Sequence, residues 1–223
     1  MVDFNSMDSD KLELMDQYFD DRADIYDLIH QRSGISWGIE IRDMVAEYLP
    51  KDTKRILNLG CGTGLELEMM VQKHPTATIE CIDLSEKMLE VLKEKYPQEN
   101  VIVRKMNFFD FDFKPSYYDA VTSVMALHHF TEDEKNVLYK KICDTLSDKG
   151  VFINSDYIID DPIFEARRFA TVAELKERYP FLLFHYDIPF TEERECRILT
   201  ESGFENIQKV YENKKTKILV CKK

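Results

Sequence analysis

The apolar positions of this chain keep two different rhythms. Before residue 50 they recur at helical spacing, as Leu12, Leu14, Met15, Tyr18 and Phe19, then Ile25, Leu28 and Ile29. A break at Ser33-Gly34 precedes a further helix from about Trp37 to Tyr48, which Pro50 stops. From Arg55 the rhythm shortens: strand 56–59, helix 64–73, strand 77–82, helix 85–95 and strand 101–105. An acidic-aromatic loop over 106–116 leads to strand 118–124. Thr131 and Glu134 then have the spacing of a capping box that starts a helix to about Leu146, and strand 151–156 follows. Alternation of this kind predicts parallel strands joined by crossover helices, with both faces of the sheet covered.

The stretch 158–189 is too long for one crossover. It predicts a helix from about Pro162 to Tyr179 and then an aromatic run, 180–186, and an excursion of this length usually builds a lid or binding loop. Thr191 caps another helix that ends at Gly203, and 205–211 with 216–221 read as a hairpin. The expected fold is therefore α/β: a doubly wound seven-stranded sheet, mostly parallel with an antiparallel last strand. A helical cap (1–50) precedes a ligand-binding domain (51–223) that carries the insertion 158–189 as a lid.

Composition narrows the class. Hydrophobic residues make up 44% and charged residues 32%, which suits a folded globular domain. No apolar run is long enough to cross a bilayer, and the opening residues lack the basic and apolar segments of a signal peptide, so the expected location is cytoplasmic. Five scattered cysteines without a Cys-x-x-Cys pair predict reduced thiols. A net charge of −12 disfavours a nucleic-acid partner unless a local basic patch overrides it.

The candidate chemistry begins at Gly60, Gly62 and Gly64, where a strand turns into a helix. Glycines there let a ligand approach main-chain N–H groups. The spacing is G-x-G-x-G, and Leu65 stands where a dinucleotide fingerprint has its third glycine, so a nicotinamide oxidoreductase is an alternative only. Asp83 ends the next strand, at the carboxyl edge beside the turn, where a carboxylate can accept from both hydroxyls of a ribose. His128 and His129 are adjacent and have no i, i+4 partner, so no metal site is expected. His185 could serve as a base oriented by Asp187, and Asp156 and Tyr157 end a strand at the same edge.

Taken in order, Ile-Leu-Asn-Leu-Gly-Cys-Gly-Thr-Gly (56–64), Glu-Cys-Ile-Asp-Leu-Ser (80–85), Tyr-Asp-Ala-Val (118–121) and Leu-His-His-Phe (127–130) resemble the successive signatures of class I S-adenosylmethionine-dependent methyltransferases. The opening Phe-Asp-Asp-Arg-Ala-Asp-Ile-Tyr-Asp (19–27) is similar to the small-molecule and wobble-uridine branches. The resemblance implies S-adenosyl-L-methionine as cofactor in a Rossmann-like fold. Gly60, Cys61, Gly62 and Gly64 would cradle its methionine portion, and Asp83 would hold the ribose. Leu84 and Met88 would pack on adenine, and Asn107 and Phe108 would face its edge. Val124 would lie beneath the sulfonium, and Tyr26 would reach the methionine carboxylate. Two positions depart from the family: Asn58 and Asn107 stand where acidic residues are common. In the family the His128-His129 pair mostly shapes a loop, with His128 the one kept as a possible substrate residue.

The sequence thus predicts a methyltransferase acting on a small molecule. Trp37, Tyr157, Phe181, Phe184 and Tyr186 are candidate aromatic walls of the acceptor pocket, and His185 with Asp187 form the candidate base. A tRNA-modifying methyltransferase and a non-catalytic S-adenosylmethionine-binding module are the alternatives.

Overall fold

The computed structural model describes residues 12–32, 39–213 and 216–223. Trp37 lies outside them. Eight strands form one sheet: β1 (Arg55–Leu59), β2 (Thr78–Asp83), β3 (Val101–Lys105), β4 (Tyr118–Val124), β5 (Leu146–Ile159), β6 (Phe190–Thr191), β7 (Asn206–Glu212) and β8 (Thr216–Lys222). The order is β3-β2-β1-β4-β5-β8-β7, with β6 paired to the end of β5. β1 to β5 run parallel, and β8 is antiparallel to both β5 and β7. The expected seven-stranded sheet is present, and the two-residue β6 adds an eighth strand to it. The antiparallel last strand is not at the edge: β8 lies between β5 and β7.

Among the described residues eight α-helices surround the sheet: α1 (Met15–Asp20), α2 (Ala23–Arg32), α3 (Ile39–Glu47), α4 (Leu67–Lys73), α5 (Glu86–Lys95), α6 (Glu132–Thr145), α7 (Pro162–Arg178) and α8 (Glu192–Glu201). The period-2 alternation of the strands sends their side chains into two separate cores. In β8, Ile218 and Val220 enter one core with Ile41 and Val45 of α3, Met70 of α4 and Leu89 of α5. Leu219 and Cys221 enter the other with Leu138 of α6, Val172 of α7 and Ile198 of α8. All five cysteines are free. Among the described residues no helix is long and apolar enough to cross a membrane.

The second core contains a buried polar group. Lys135, 1% exposed, donates to Glu195, which is fully buried, at 2.8 Å, while the Tyr139 hydroxyl and the Asn154 amide (3.2 Å) donate to the other Glu195 oxygen. The Lys135 ammonium also lies 3.9 Å from the Phe190 ring centroid.

Two contacts fasten the N-terminal segment to the excursion after β5. Leu14 forms an antiparallel bridge with Phe184, Met15 N–H donates to the Leu183 carbonyl (2.8 Å), and His185 N–H donates to the Glu13 carbonyl (3.0 Å). The Tyr18 and His185 rings stack with centroids 3.4 Å apart. A chain order that reverses between β1 and β4 leaves a crevice at their carboxyl ends, the usual ligand position in such sheets.

Candidate functional site

The crevice is occupied by a cleft of about 840 Å³, counted out to its open mouth. Its floor is the turn after β1. Gly60 has φ +68°, and a Cβ there would come within 2.4 Å of Ala126 Cβ, so the residue lets the turn lie against the loop after β4. Gly62 has φ +49°, and a Cβ there would meet nothing within 4 Å. The backbone at Gly62 therefore faces open space, which suits close approach by a ligand. Gly64 does not line the cleft. A Cβ there would press on Leu67 and Leu92, so a glycine at 64 is required by the packing of α4 and α5.

Asp83 joins the turn to the end of β2. Its Oδ2 accepts from Gly62 N–H at 2.8 Å, and its Oδ1 accepts from Ser85 N–H at 2.9 Å. Ser85 caps α5 by accepting from Met88 N–H, which leaves Asp83 free of that task. Burial raises the Asp83 carboxyl above its ordinary value, against the pull of these backbone donors. Each carboxylate oxygen has a second lone pair, so Asp83 can still accept from a diol.

Tyr26, Gly60, Cys61, Gly62, Asp83, Leu84, Met88, Asn107, Phe108 and Val124 all line the cleft. Asn107 uses its side-chain oxygen to accept from Phe109 N–H, capping a short 3-10 turn. The N-terminal helices hold the rim through two carboxylates: Thr63 donates to Asp27 and Ser85 donates to Asp20, each at 2.5 Å.

The loop after β4 overturns the expected roles of the two histidines. Met125 takes the left-handed conformation (φ 53°), a strain typical of functional sites, and feeds a 3-10 turn over Leu127–His129. This turn points His129 into the cleft and puts His128 behind it. His128 Nδ1 lies 2.5 Å from Asp156, and its Nε2 lies 3.5 Å from Asp187. His129 Nδ1 lies 3.4 Å from the same Asp187 oxygen. Asp187 therefore faces His128 and His129 instead of orienting His185, whose ring is stacked on Tyr18.

Adjacent histidines do converge here, because a 3-10 turn is tighter than the helix face assumed above. One donor atom each from His128, His129 and Asp187 lies within 4.8 Å of the others, a geometry that could take a metal ion. Burial opposes charge on His128, but Asp156 and Asp187 outweigh it and push the ring up to about 10. Burial and the His128 charge keep His129 neutral, well below its ordinary value. Burial also lowers His185 to about 4.

These shifts give a testable pH profile of stability. The folded-state value of His128 is raised, so its contribution is complete below 6.5 and is lost as pH rises through about 10. The folded-state value of His185 is lowered, so its contribution is complete above 6.5 and is lost as pH falls through about 4. Thermal unfolding across this range should show a maximum near neutrality. His128→Gln should flatten the alkaline limb and also shift the acid limb, because the His128 charge lowers both His129 and His185; an unchanged alkaline limb would refute the assignment.

Other expected acceptor residues stand apart from the cleft. Phe181 is 96% exposed and walls nothing, and Tyr157 meets His128 edge-on at 6.0 Å behind the lining. The walls are instead Met15, Phe19, Met125 and Leu183. Met15 and Phe19 carried only a helical apolar pattern, so nothing in the sequence separated them from ordinary core.

No lysine or arginine is among the described lining residues, whereas Asp83 and Glu66 are. The cleft is thus anionic. It suits a ligand with cationic centres and a ribose, and it opposes a pyrophosphate. The residues present fit S-adenosylmethionine, whose sulfonium and ammonium are both positive.

Residues 56–150 match the family model described as a methyltransferase domain. Over 147 residues the chain is 31% identical to an uncharacterized methyltransferase of Bacillus thuringiensis (strain Al Hakam), covering 64% of this chain and 67% of that protein. In fold it is similar to phosphoethanolamine N-methyltransferase 2 of Haemonchus contortus, solved with S-adenosyl-L-methionine (TM-score 0.66, 19% identity, 86% of this chain and 43% of that one). It is also similar to Streptomyces venezuelae DesVI (TM-score 0.66, 15% identity, 90% of this chain and 98% of that one). The chain spans about half the length of several other solved structures that it resembles.

Proposed function

We propose that this chain, which belongs to the class I S-adenosylmethionine-dependent methyltransferases and uses that cofactor, moves the methyl group to a nucleophile on a small molecule. The observation that carries the acceptor class is the closure of the cleft. Leu183 faces Met15 and Phe19 there, and the Leu14–Phe184 bridge fastens the two segments together. A cleft whose mouth is walled by apolar side chains suits a small acceptor, whereas a folded RNA needs an open basic surface, and the net charge is −12.

The cofactor supplies a methyl group on a positively charged sulfur, already activated for in-line displacement. What remains for the protein is alignment and exclusion of water. The Gly60–Gly62 turn and Asp83 hold the cofactor, and Leu84, Met88 and Phe108 pack on its adenine. Met15, Phe19, Met125 and Leu183 keep the transfer path dry. The neutral His129 ring stands on the cleft wall, and because burial and the His128 charge make it a weak base, it offers the acceptor a polar contact while an acceptor that arrives deprotonated needs no base. His128, held between Asp156 and Asp187, fixes the orientation of that loop.

The test is incubation with S-adenosylmethionine and a panel of small amines, phenols and thiols beside total tRNA, with products followed by mass spectrometry. Methylation of at least one small acceptor and none of tRNA is the expected outcome. Transfer to tRNA alone would sink the small-molecule reading.

A further inference from the structure

We propose that Glu66 is the anionic partner of the cofactor's α-ammonium group in this chain, and that Asn58 is an amide because Glu66 occupies this place. The inference rests on the cofactor reading above and adds a residue that neither the glycine turn nor Asp83 supplies.

Asn58 is the unorthodox residue of the turn. It is fully buried on β1, and its amide is fixed from both sides. The Thr122 hydroxyl donates to its Oδ1 at 3.1 Å, which turns its NH₂ group toward Glu66, where it donates to Oε1 at 2.5 Å. Glu66 is 6% exposed and lines the cleft just beyond the turn. An aspartate at 58 would set two carboxylates at hydrogen-bonding distance in a buried place, and one of them would have to take up a proton. With a neutral donor at 58, Glu66 meets an amide there and not a second carboxylate. The strand residue has become the donor, and the carboxylate has moved eight positions along the chain.

Two carboxylates, Asp83 and Glu66, are among the described lining residues. Asp83 is tied to Gly62 and Ser85, next to the apolar Leu84 and Met88, which suits the nucleoside end of the ligand. The amino-acid end brings an ammonium group into the same anionic cleft, and Glu66 is the carboxylate left to meet it. A charge-assisted hydrogen bond in a water-poor place is among the stronger polar contacts.

Calorimetry with two adenosine ligands separates this role from a structural one. S-adenosylhomocysteine carries the ammonium group, and 5′-methylthioadenosine shares the nucleoside and thioether but lacks the amino acid. Glu66→Gln should weaken S-adenosylhomocysteine about tenfold to a hundredfold, the worth of one charged hydrogen bond. It should leave 5′-methylthioadenosine within about twofold, since a contact the ligand never makes cannot be lost. The exchanged pair Asn58→Asp with Glu66→Gln restores one carboxylate and one amide, and should regain most of the lost affinity. Equal weakening of both ligands in Glu66→Gln, or none of either, would overturn the proposal. A wild-type protein that binds neither ligand would overturn the cofactor reading itself, an outcome visible before any variant is made.

Discussion

Lys135→Met should cost about 3–5 kcal/mol of folding stability, measured by urea denaturation, because it strands a buried carboxylate. Lys135 is 1% exposed and Glu195 fully buried, so water cannot replace the lost ammonium. The Tyr139 hydroxyl and the Asn154 amide would still donate to Glu195, but neither neutralises it. The cost is therefore one of breaking a pair and not of the pair's net worth. Lys135→Met combined with Glu195→Leu removes both charges and should recover most of the loss, since an apolar pair of similar volume escapes the desolvation penalty. The double variant leaves both the Tyr139 hydroxyl and the Asn154 amide without their acceptor, so recovery should stop short of wild type by about 1–3 kcal/mol for each group left unpaired. A double variant less stable than Lys135→Met alone would refute this account.

Asp83→Ala should lower the affinity for S-adenosylmethionine by roughly two orders of magnitude or more, read by calorimetry. Two effects combine. The ribose loses charged acceptors worth about 1.5–3 kcal/mol each, and Gly62 N–H loses the partner, 2.8 Å away, that fixes the turn. Since each 1.4 kcal/mol is tenfold, each lost charged hydrogen bond alone is worth about one to two orders. Asp83→Asn keeps one acceptor oxygen and should fall between the two. Affinity within threefold of wild type in Asp83→Ala would show that the nucleoside lies elsewhere.

Seven of the eight strands were legible because each carries a short apolar run bounded by turn residues; the two-residue β6 was not, and β5 (Leu146–Ile159) runs well past the expected 151–156 at both ends. β3 and β4 have the bounds that periodicity predicts. The spacing from Gly62 to Asp83 was legible too, and it appears in the fold as a direct hydrogen bond. The two histidines were not. Which of two neighbours faces a ligand depends on how the chain enters their turn, and it enters through Met125 at φ 53°, a conformation that no hydrophobic pattern encodes. The Glu66 role was hidden for another reason. At helical spacing a glutamate reads as a solvated charge, and only the fold sets it against a buried asparagine on the neighbouring strand. Gly64 shows the converse: a motif position can be required by leucines packed behind the turn.

The bridge between Leu14 and Phe184 also sets an order of events during synthesis. A ribosome adds about 5–20 residues per second, so the partner of Leu14 appears about 10–30 s after Leu14 itself. Until then Met15 and Phe19 have no Leu183 to face, and their apolar surface stays open to chaperones and to other nascent chains. The segment around Leu14 is thus made well before it can reach its final place.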